Sequence, residues 1–283
     1  MQNNIKKSLS FVFWGTPDVA SDTLEILKQV DFLPSLIITS PDAKKGRGLH
    51  IEASSVAIFA EKNNIPCLKP EKLDEKFYSE LKPSCLEPNC LFIVVAYGKI
   101  IPENILNLPK LGSINVHYSL LPKYRGASPV ESAILNGDSY TGVTIQKMAY
   151  KMDAGDIIAQ EKINIMPDET APELRKRLIQ LGGELLVKIL LEYVENKITP
   201  VPQDEKEATY TKKIKKEDGL IDLNGDVIKN YNKFRAYAYW PRTFFFKNGK
   251  RIIITKAKLE NNKFIIEKII PEGGKEQLSK TNE

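Results

Sequence analysis

Asn115 and His117 lie two residues apart within the run SINVHYSLLPKYRGASP, which covers residues 113–129. A histidine can pass a proton near neutral pH, and an asparagine amide can donate a hydrogen bond to a developing oxyanion. Acyl transfer uses both functions, and a third group commonly orients the histidine. Asp153 is the candidate for that group, because it follows a predicted strand in a turn that contains glycine. These residue types therefore favour acyl transfer.

An isolated histidine is more often structural than catalytic, so the pair alone is weak evidence. The position of the pair strengthens the evidence for a catalytic role. We expect Asn115 and His117 at the end of a strand, beside an irregular loop that contains proline and glycine. The chain has two histidines, so we expect no metal site. No serine or cysteine lies in a nucleophile elbow. We therefore expect direct transfer between two bound substrates, without a covalent enzyme intermediate.

The elements that must position these residues alternate between strands and helices. Apolar runs predict buried strands at residues 10–14, 35–39 and 91–97, and the last is expected at the centre of a sheet covered on both faces. Further strands are predicted at residues 113–117, 142–148 and 157–165, and helices at residues 129–135 and 171–194. Strand, helix and strand at this spacing predict an α/β fold with a parallel sheet.

The sheet should hold the candidate residues at one edge. Residues i and i+2 of a strand share a face, so Asn115 and His117 should project to the same side. Open α/β sheets bind ligands beyond the carboxyl ends of their strands, which places residues 96–99 at the rim of a pocket. The first turn has the sequence GTPD and lacks the glycine fingerprint of dinucleotide-binding folds. A nucleotide cofactor is therefore not supported at that turn.

Residues 40–50, SPDAKKGRGLH, are predicted to form a loop, because proline and glycine interrupt them. Lys44, Lys45 and Arg47 make this segment basic. One interpretation is a solvated loop with scattered charge. The other is a flexible arm that contacts a phosphate backbone. A net charge of +5 permits a nucleic-acid partner without requiring one, so the residues alone leave both interpretations open.

A chain of 283 residues favours two domains over one. Residues 196–208, NKITPVPQDEKEA, are polar and contain two prolines. We predict that they link a first domain of residues 1–195 to a second domain of residues 209–283. The second domain is predicted to be small and β-rich, because Asn248 and Gly249 form a hairpin-turn signal between two strand-like runs.

Cysteine use and hydropathy favour a cytoplasmic protein. Cys67, Cys85 and Cys90 form no C-x-x-C pair, which indicates free thiols rather than disulfides or zinc. The longest apolar run, LFIVVAY, is far shorter than a membrane-spanning helix. The apolar stretch near the N-terminus is too short for a signal peptide. We expect no association with membranes.

The run N-V-H-x-S-L-L-P-x-x-R-G at residues 115–126 resembles the folate-dependent formyltransferases. The wider pattern is similar to the branch of that family that acts on methionyl-tRNA. Its motifs are F-W-G-T-P-D, P-D-x-x-x-G-R-G, V-V-A-Y-G, T-G-V-T-I, M-D-A-G-D and W-P-R, and they begin in that order at residues 13, 41, 94, 141, 152 and 240. Several motifs in one order are more specific than any single motif, and they span almost the whole chain.

The resemblance implies a Rossmann-like formyltransferase domain with a mostly parallel sheet, followed by a small, shortened OB-like domain that contacts tRNA. It also implies the reaction, in which the formyl group of 10-formyltetrahydrofolate passes to the α-amino group of methionyl initiator tRNA through a tetrahedral intermediate. The folate is a cosubstrate, no metal is implied, and we expect a monomer. The segment after Gly48 has fewer basic residues than the family pattern.

The resemblance also assigns roles to individual residues. The catalytic trio corresponds to Asn115, His117 and Asp153. The folate-contacting residues correspond to Ser119, Leu120, Leu121 and Pro122, and we add Val95, Tyr97 and Gly98 at the expected pocket rim. The residue that engages the acceptor end of tRNA corresponds to Arg47, with Lys44 and Lys45 beside it.

Two alternatives keep the fold and change the function. One is a formyltransferase that acts on a small amine, such as an amino sugar nucleotide or glycinamide ribonucleotide. The other is an inactive relative that binds RNA. The basic segment and the lysine-rich second domain favour tRNA as the acceptor, and the intact trio argues against an inactive protein.

Overall fold

The computed structural model describes residues 9–45 and 50–279. Its helices are α1 Asp18–Gln29, α2 Ser55–Lys62, α3 Glu75–Leu81, α4 Glu103–Leu106, α5 Pro129–Leu135, α6 Ala171–Val194 and α7 Val227–Ala236. Its strands are β1 Ser10–Gly15, β2 Leu36–Ile38, β3 Ala43–Lys45, β4 His50–Glu52, β5 Cys67–Leu68, β6 Cys90–Val95, β7 Ser113–His117, β8 Arg125–Gly126, β9 Tyr140–Lys147, β10 Ile157–Asn164, β11 Tyr210–Thr211, β12 Phe244–Lys247, β13 Lys250–Glu260, β14 Lys263–Pro271 and β15 Gln277–Leu278.

The chain forms two compact units. The first comprises Met1–Pro122, Val143–Glu161 and Ile179–Lys206, and the second comprises Lys123–Gly142, Lys162–Leu178 and Glu207–Glu283. A seven-stranded sheet has the order β10-β9-β7-β6-β1-β2-β5, so the uninterrupted apolar strand β6 lies at its centre. The pairs among β7, β6, β1, β2 and β5 are parallel, whereas β7 and β9 are antiparallel. The predicted α/β class and mostly parallel sheet are confirmed.

Burial explains why the central strands are continuous apolar runs. Every residue of β6 is buried, and the β1 residues from Phe11 onward are buried as well. Helix α1 buries Ala20, Leu24 and Leu27, which recur at helical spacing along one face. A strand covered on both faces cannot alternate apolar and polar residues, and this favours the run CLFIVV.

The strand register brings polar residues together at one edge of the sheet. Asn115 on β7 pairs with Val94 on β6 and with Gln146 on β9. His117 pairs with Thr144 on β9. Parallel β6 and β7 end at the same edge, and the antiparallel β9 begins there. The carboxyl end of β7 is therefore flanked by residues from both neighbouring strands.

The second unit contains an antiparallel sheet in the order β12-β13-β14-β15. Its core consists of Ile221, Phe245, Ile252, Ile254, Ile266 and Ile269. Asn248 and Gly249 both have positive φ, at 54° and 74°, as a two-residue hairpin turn requires, so the predicted turn is confirmed. Asn261 and Asn262 form a second turn with positive φ between β13 and β14.

The structure corrects two local predictions. Residues 43–45 and His50 were predicted as loop, but β3 pairs with β4 as a short antiparallel ribbon whose connecting residues, 46–49, lie outside the described part of the chain. Helix α7 was not predicted, because its sequence VIKNYNKFRA is polar; it packs against α5 within the second unit. Among the described residues, no helix has the length and hydrophobicity needed to cross a membrane.

Candidate active site

Asn115 and His117 lie at the carboxyl end of β7, and Asp153 lies in the turn between β9 and β10. The His117 Nδ1 atom is 3.7 Å from the Asp153 Oδ1 atom. The His117 side chain is buried, and that of Asp153 is 18% exposed. An imidazole and a carboxylate at this distance attract each other whenever the imidazole is protonated. The structure therefore brings all three predicted residues to one edge of the sheet.

The Asn115 amide is anchored to the neighbouring strand. Its Nδ2 atom donates to the main-chain oxygen of Val94, at 3.0 Å. An amide nitrogen carries two N–H groups, and this contact uses one of them. Asn115 is partly exposed although its neighbours on β7 are buried. The second N–H is therefore available to a group bound at the end of the strand.

The turn that carries Asp153 is held tightly against the end of β9. Asp153 has a φ of 49°, in the left-handed region that few residues other than glycine adopt. A Cβ atom placed on Gly155 would lie 1.8 Å from the main-chain oxygen of Lys147. Only glycine permits this approach. The Lys147 amide also donates to the main-chain oxygen of Asp156, at 2.9 Å. These constraints fix the carboxylate relative to β9.

Two glutamines that sequence reasoning missed connect these groups. Gln146 Nε2 donates to Asp153 Oδ1 at 3.0 Å and lies 3.5 Å from Asn115 Oδ1. Gln203 Nε2 donates to the main-chain oxygens of Asp153 and Gly155, at 2.9 and 2.7 Å. Gln203 belongs to the segment predicted as a linker. The neighbouring Val201 forms an isolated antiparallel bridge with Ile157, so this part of the segment is bound to the first unit.

The predicted folate-contacting residues 119–122 begin two residues after the last residue of β7, His117. Ser119 and Leu121 are buried, and Leu120 and Pro122 are partly exposed. Thr144 Oγ1 donates to the Ser119 oxygen at 2.7 Å and accepts from the Leu121 amide at 3.0 Å. Gln160 Nε2 donates to the Leu121 oxygen at 2.7 Å. Strands β9 and β10 thereby give this irregular segment a defined shape.

The other predicted folate contacts, Val95, Tyr97 and Gly98, lie at the end of β6 and differ from one another in burial. Val95 is fully buried, and the Tyr97 ring packs edge-on against Trp14 with 5.2 Å between ring centroids. Burial raises the pKa of the Tyr97 hydroxyl to about 12. The Tyr97 main-chain oxygen accepts from Thr16 Oγ1 at 3.1 Å. Gly98 is exposed. The side chains of Val95 and Tyr97 therefore belong to the core, and Gly98 is the exposed residue of the three.

Two of the predicted tRNA contacts, Lys44 and Lys45, belong to β3. Lys44 is exposed and pairs with Ile51 in this ribbon, and Lys45 pairs with His50. Arg47 lies outside the described residues. Among the residues that are described, histidine, cysteine and carboxylate side chains form no group of three suited to a metal ion.

Comparison with known proteins identifies the family to which this chain belongs. The sequence model of the formyl transferase family matches residues 7–190, and that of the formyl transferase C-terminal domain matches residues 213–277. A methionyl-tRNA formyltransferase from Caldicellulosiruptor saccharolyticus is 40% identical over 259 residues, which cover 89% of this chain and 82% of the relative. The chain belongs to the methionyl-tRNA formyltransferase family. The resemblance predicted from the motifs is confirmed, and so is the enzyme class, a formyl-transferring enzyme.

Solved structures show how widely this fold is shared. A methionyl-tRNA formyltransferase from Clostridium thermocellum has a TM-score of 0.62 and 18% identity, covering 93% of this chain and 98% of that one. An N-formyltransferase from Helicobacter canadensis, solved with folinic acid and dTDP-3-aminofucose, has a TM-score of 0.69 and 21% identity, covering 93% and 95%. At such identities these likenesses concern the fold alone.

The residues of the candidate site differ in how strongly the sequence indicates them. Asn115 and His117 occur within one strand and one motif, so a local pattern finds them. Gln146 lies within the strand predicted at residues 142–148, but its position opposite Asn115 depends on the β7–β9 register, which no local motif specifies. Gln203 lies in a polar segment without periodicity, 50 residues beyond Asp153. No local signal in the sequence identifies it.

Proposed function

We propose that this chain transfers the formyl group of 10-formyltetrahydrofolate to the α-amino group of methionyl initiator tRNA. The observation that carries the proposal is the cluster at the end of β7, where an amide donor and an imidazole share one strand face beside the Asp153 carboxylate. The family assignment gives the type of group transferred. The geometry accounts for how a formyl group can move directly from one nitrogen to another.

The reaction begins when the neutral α-amine attacks the formyl carbon of the folate. The carbonyl oxygen then becomes an oxyanion in a tetrahedral intermediate. Asn115 supplies the N–H that is not used by Val94, and protonated His117 supplies positive charge. Because both side chains are held by the sheet, little reorganisation is needed as the charge develops.

The intermediate collapses when the bond between the formyl carbon and N10 of the folate breaks. The attacking nitrogen has to lose one proton, and N10 has to gain one. Protonated His117 can give its proton to N10 and then accept one from the attacking nitrogen, and Asp153 stabilises the imidazolium form. The products are N-formylmethionyl-tRNA and tetrahydrofolate, so atoms and charge balance without an enzyme-bound intermediate.

Residues 119–122 form the wall against which we place the folate. The polar groups of Ser119 and Leu121 are already bonded to Thr144 and Gln160, so the segment is formed before the folate arrives. Leu120 and Pro122 are the partly exposed members that can contact the pteridine ring. Gly98 supplies exposed backbone at the end of β6. We do not place the Val95 and Tyr97 side chains in contact with the folate.

The charge of the chain supports a polyanionic acceptor. The predicted contacts Arg47, Lys44 and Lys45 are basic, and residues 207–283 are rich in lysine. A tRNA acceptor places the reaction in the cytoplasm. We propose that the enzyme works as a monomer, and the three proposed catalytic residues lie together within one chain.

An acceptor panel tests this function. The full chain is incubated with 10-formyltetrahydrofolate and, in separate reactions, methionyl initiator tRNA, a dTDP-linked amino sugar and glycinamide ribonucleotide. We expect formylation of the tRNA at the highest kcat/KM. Formylation of a small amine alone would overturn the choice of acceptor, and no transfer to any acceptor would overturn the proposed reaction. An Arg47→Ala variant in the same assay should raise KM for tRNA and leave that for folate unchanged.

A further inference from the structure

Three side-chain carboxamides, those of Gln203, Gln146 and Asn115, form a connected series behind the proposed catalytic trio. We infer that this series, here called the amide relay, fixes the orientation of the Asn115 amide and the Asp153 carboxylate for formyl transfer. Gln146 and Gln203 are thus positioning residues. The kinetic part of this inference rests on the proposed function. The orientation part concerns the free protein and stands on hydrogen bonds alone.

The relay starts at Gln203, whose orientation is set by main-chain atoms. A carboxamide has one acceptor end and one donor end, and the two ends have nearly the same shape. Main-chain oxygens only accept hydrogen bonds. Gln203 Nε2 lies 2.9 Å from the Asp153 oxygen and 2.7 Å from the Gly155 oxygen, so the donor end of Gln203 must face the turn. The flipped side chain would place an acceptor against two acceptors.

The orientation of Gln203 determines that of Gln146. Gln203 Nε2 also lies 3.3 Å from Gln146 Oε1, so the acceptor end of Gln146 faces it. The donor end then faces the Asp153 carboxylate, with 3.0 Å between Nε2 and Oδ1. A carboxylate accepts hydrogen bonds and does not donate them, so it selects the same orientation. Gln146 is 1% exposed, and so water cannot easily replace either contact.

The relay ends at Asn115. Gln146 Nε2 lies 3.5 Å from Asn115 Oδ1, the longest contact of the series, and Asn115 Nδ2 donates to the Val94 oxygen at 3.0 Å. Both contacts favour the same amide orientation, with Nδ2 turned away from Gln146. This orientation leaves one Asn115 N–H for the oxyanion. A flipped amide would present an oxygen to the oxyanion and repel it.

The alternative explanation is that the glutamines only fill space. Methionine has nearly the shape of glutamine and no amide, so Gln146→Met and Gln203→Met separate the two explanations. We expect each variant to lower kcat by about tenfold, the value of one hydrogen bond, while KM for each substrate changes less than about twofold. Gln180→Met is the matched control, because Gln180 is exposed on α6 and its amide bonds Glu184. It should retain wild-type kcat.

The double variant Gln146→Met/Gln203→Met tests whether the two residues act in one series. If they do, the kcat of the double variant should be no more than about twofold below the kcat of the less active single variant. A loss close to the product of the two single losses would contradict the relay. So would single variants with wild-type kcat.

Gln203→Glu adds a readout that packing alone would not change. A carboxyl group facing two main-chain oxygens keeps its proton to higher pH than in water, and the protonated form can donate one hydrogen bond to the turn. The kcat of this variant relative to wild type should therefore rise as the pH is lowered. A ratio that does not change with pH would contradict the orienting role of Gln203.

NMR of the free protein tests the relay without any substrate. With 15N-labelled glutamine, the side-chain amides of Gln146 and Gln203 are assigned by their loss in the two Met variants. Their N–H protons should exchange with solvent at least about tenfold more slowly than those of Gln180. Equal exchange rates would overturn the relay. Slow exchange in a chain that does not formylate tRNA would uphold the relay and overturn the proposed function, so the two failures are distinguishable.

Discussion

The segment of residues 207–283 differs from the rest of the chain in both charge and architecture. It contains 17 Lys and Arg residues against 10 Asp and Glu residues, a net charge of +7, whereas the whole chain carries +5. Residues 1–206 therefore carry −2. They include all seven strands of the mostly parallel sheet and all of the proposed catalytic trio, and the basic segment includes the antiparallel sheet β12-β13-β14-β15. Chemistry and positive charge are thus concentrated in different parts of the sequence.

Group transfer and tRNA binding have different structural requirements. Group transfer needs a few side chains held within a few tenths of an ångström, which a buried sheet with a fixed register supplies. Attraction of a polyanion needs many cations with little positional precision, which an exposed surface supplies. Changes near β7 should therefore act on kcat, and changes among the exposed lysines should act on KM and on its dependence on salt.

The largest effect is expected at the carboxylate beside His117. Asp153→Asn keeps the shape of the side chain and removes its charge, so the imidazolium loses its stabilising partner. We expect kcat to fall by about a hundredfold or more, with KM for tRNA within about twofold of wild type. Steady-state formylation of methionyl-tRNA measures both constants. A large rise in KM with an unchanged kcat would place Asp153 in binding rather than in chemistry.

A smaller effect is expected from moving the turn that carries Asp153. In Gly155→Ala the new methyl group would meet the Lys147 oxygen at 1.8 Å, so the turn has to shift away from β9 and from Gln203. We expect kcat to fall by about tenfold and the Tm to decrease. Gly274→Ala is the control, because a Cβ there meets no atom closer than 3.3 Å. Equal effects of the two substitutions would show that the tight turn is unimportant.

The smallest effect is expected from substitutions in the basic segment of residues 207–283. Lys212 and Lys213 are exposed, and replacing both with alanine should raise KM for tRNA by about threefold to fivefold and reduce its dependence on salt, while kcat stays constant. Lys258→Ala is the control, since Lys258 pairs with Glu260 and Glu267. KM is measured between low and physiological salt. A reduced kcat in the double variant would contradict the separation of charge from chemistry.

Local sequence patterns predicted the parts of the fold that are locally determined. The helix at residues 171–194 has a regular apolar face, and the turn at Asn248 and Gly249 requires two residues with positive φ, so both were predicted where the structure has them. Helix α7 was missed because its polar sequence gains its stability from packing, not from pattern. The β3–β4 ribbon was missed because its strands are three residues long.

The candidate site also contains residues that a local pattern predicts and residues that depend on long-range packing. Asn115 and His117 are two residues apart on one strand, so the period of a strand predicts that they share a face. The partnership of Gln146 with Asn115 depends on how β7 and β9 align, and a shift by one residue would place Gln146 on the opposite face. Gln203 reaches the turn from a segment without regular structure. Long-range register and packing of this kind are not encoded in any short motif.

We propose that the end of β7 performs the transfer, while other residues bind the tRNA. The most direct test measures two quantities on one variant, Asn115→Ala: the single-turnover rate of formyl transfer to methionyl initiator tRNA, and the Kd for that tRNA. We predict a rate reduced by about a hundredfold or more, because one oxyanion donor is lost, with Kd within about twofold of wild type. An unchanged rate, or a Kd that rises in proportion to the loss of rate, would contradict this separation of formyl transfer from tRNA binding.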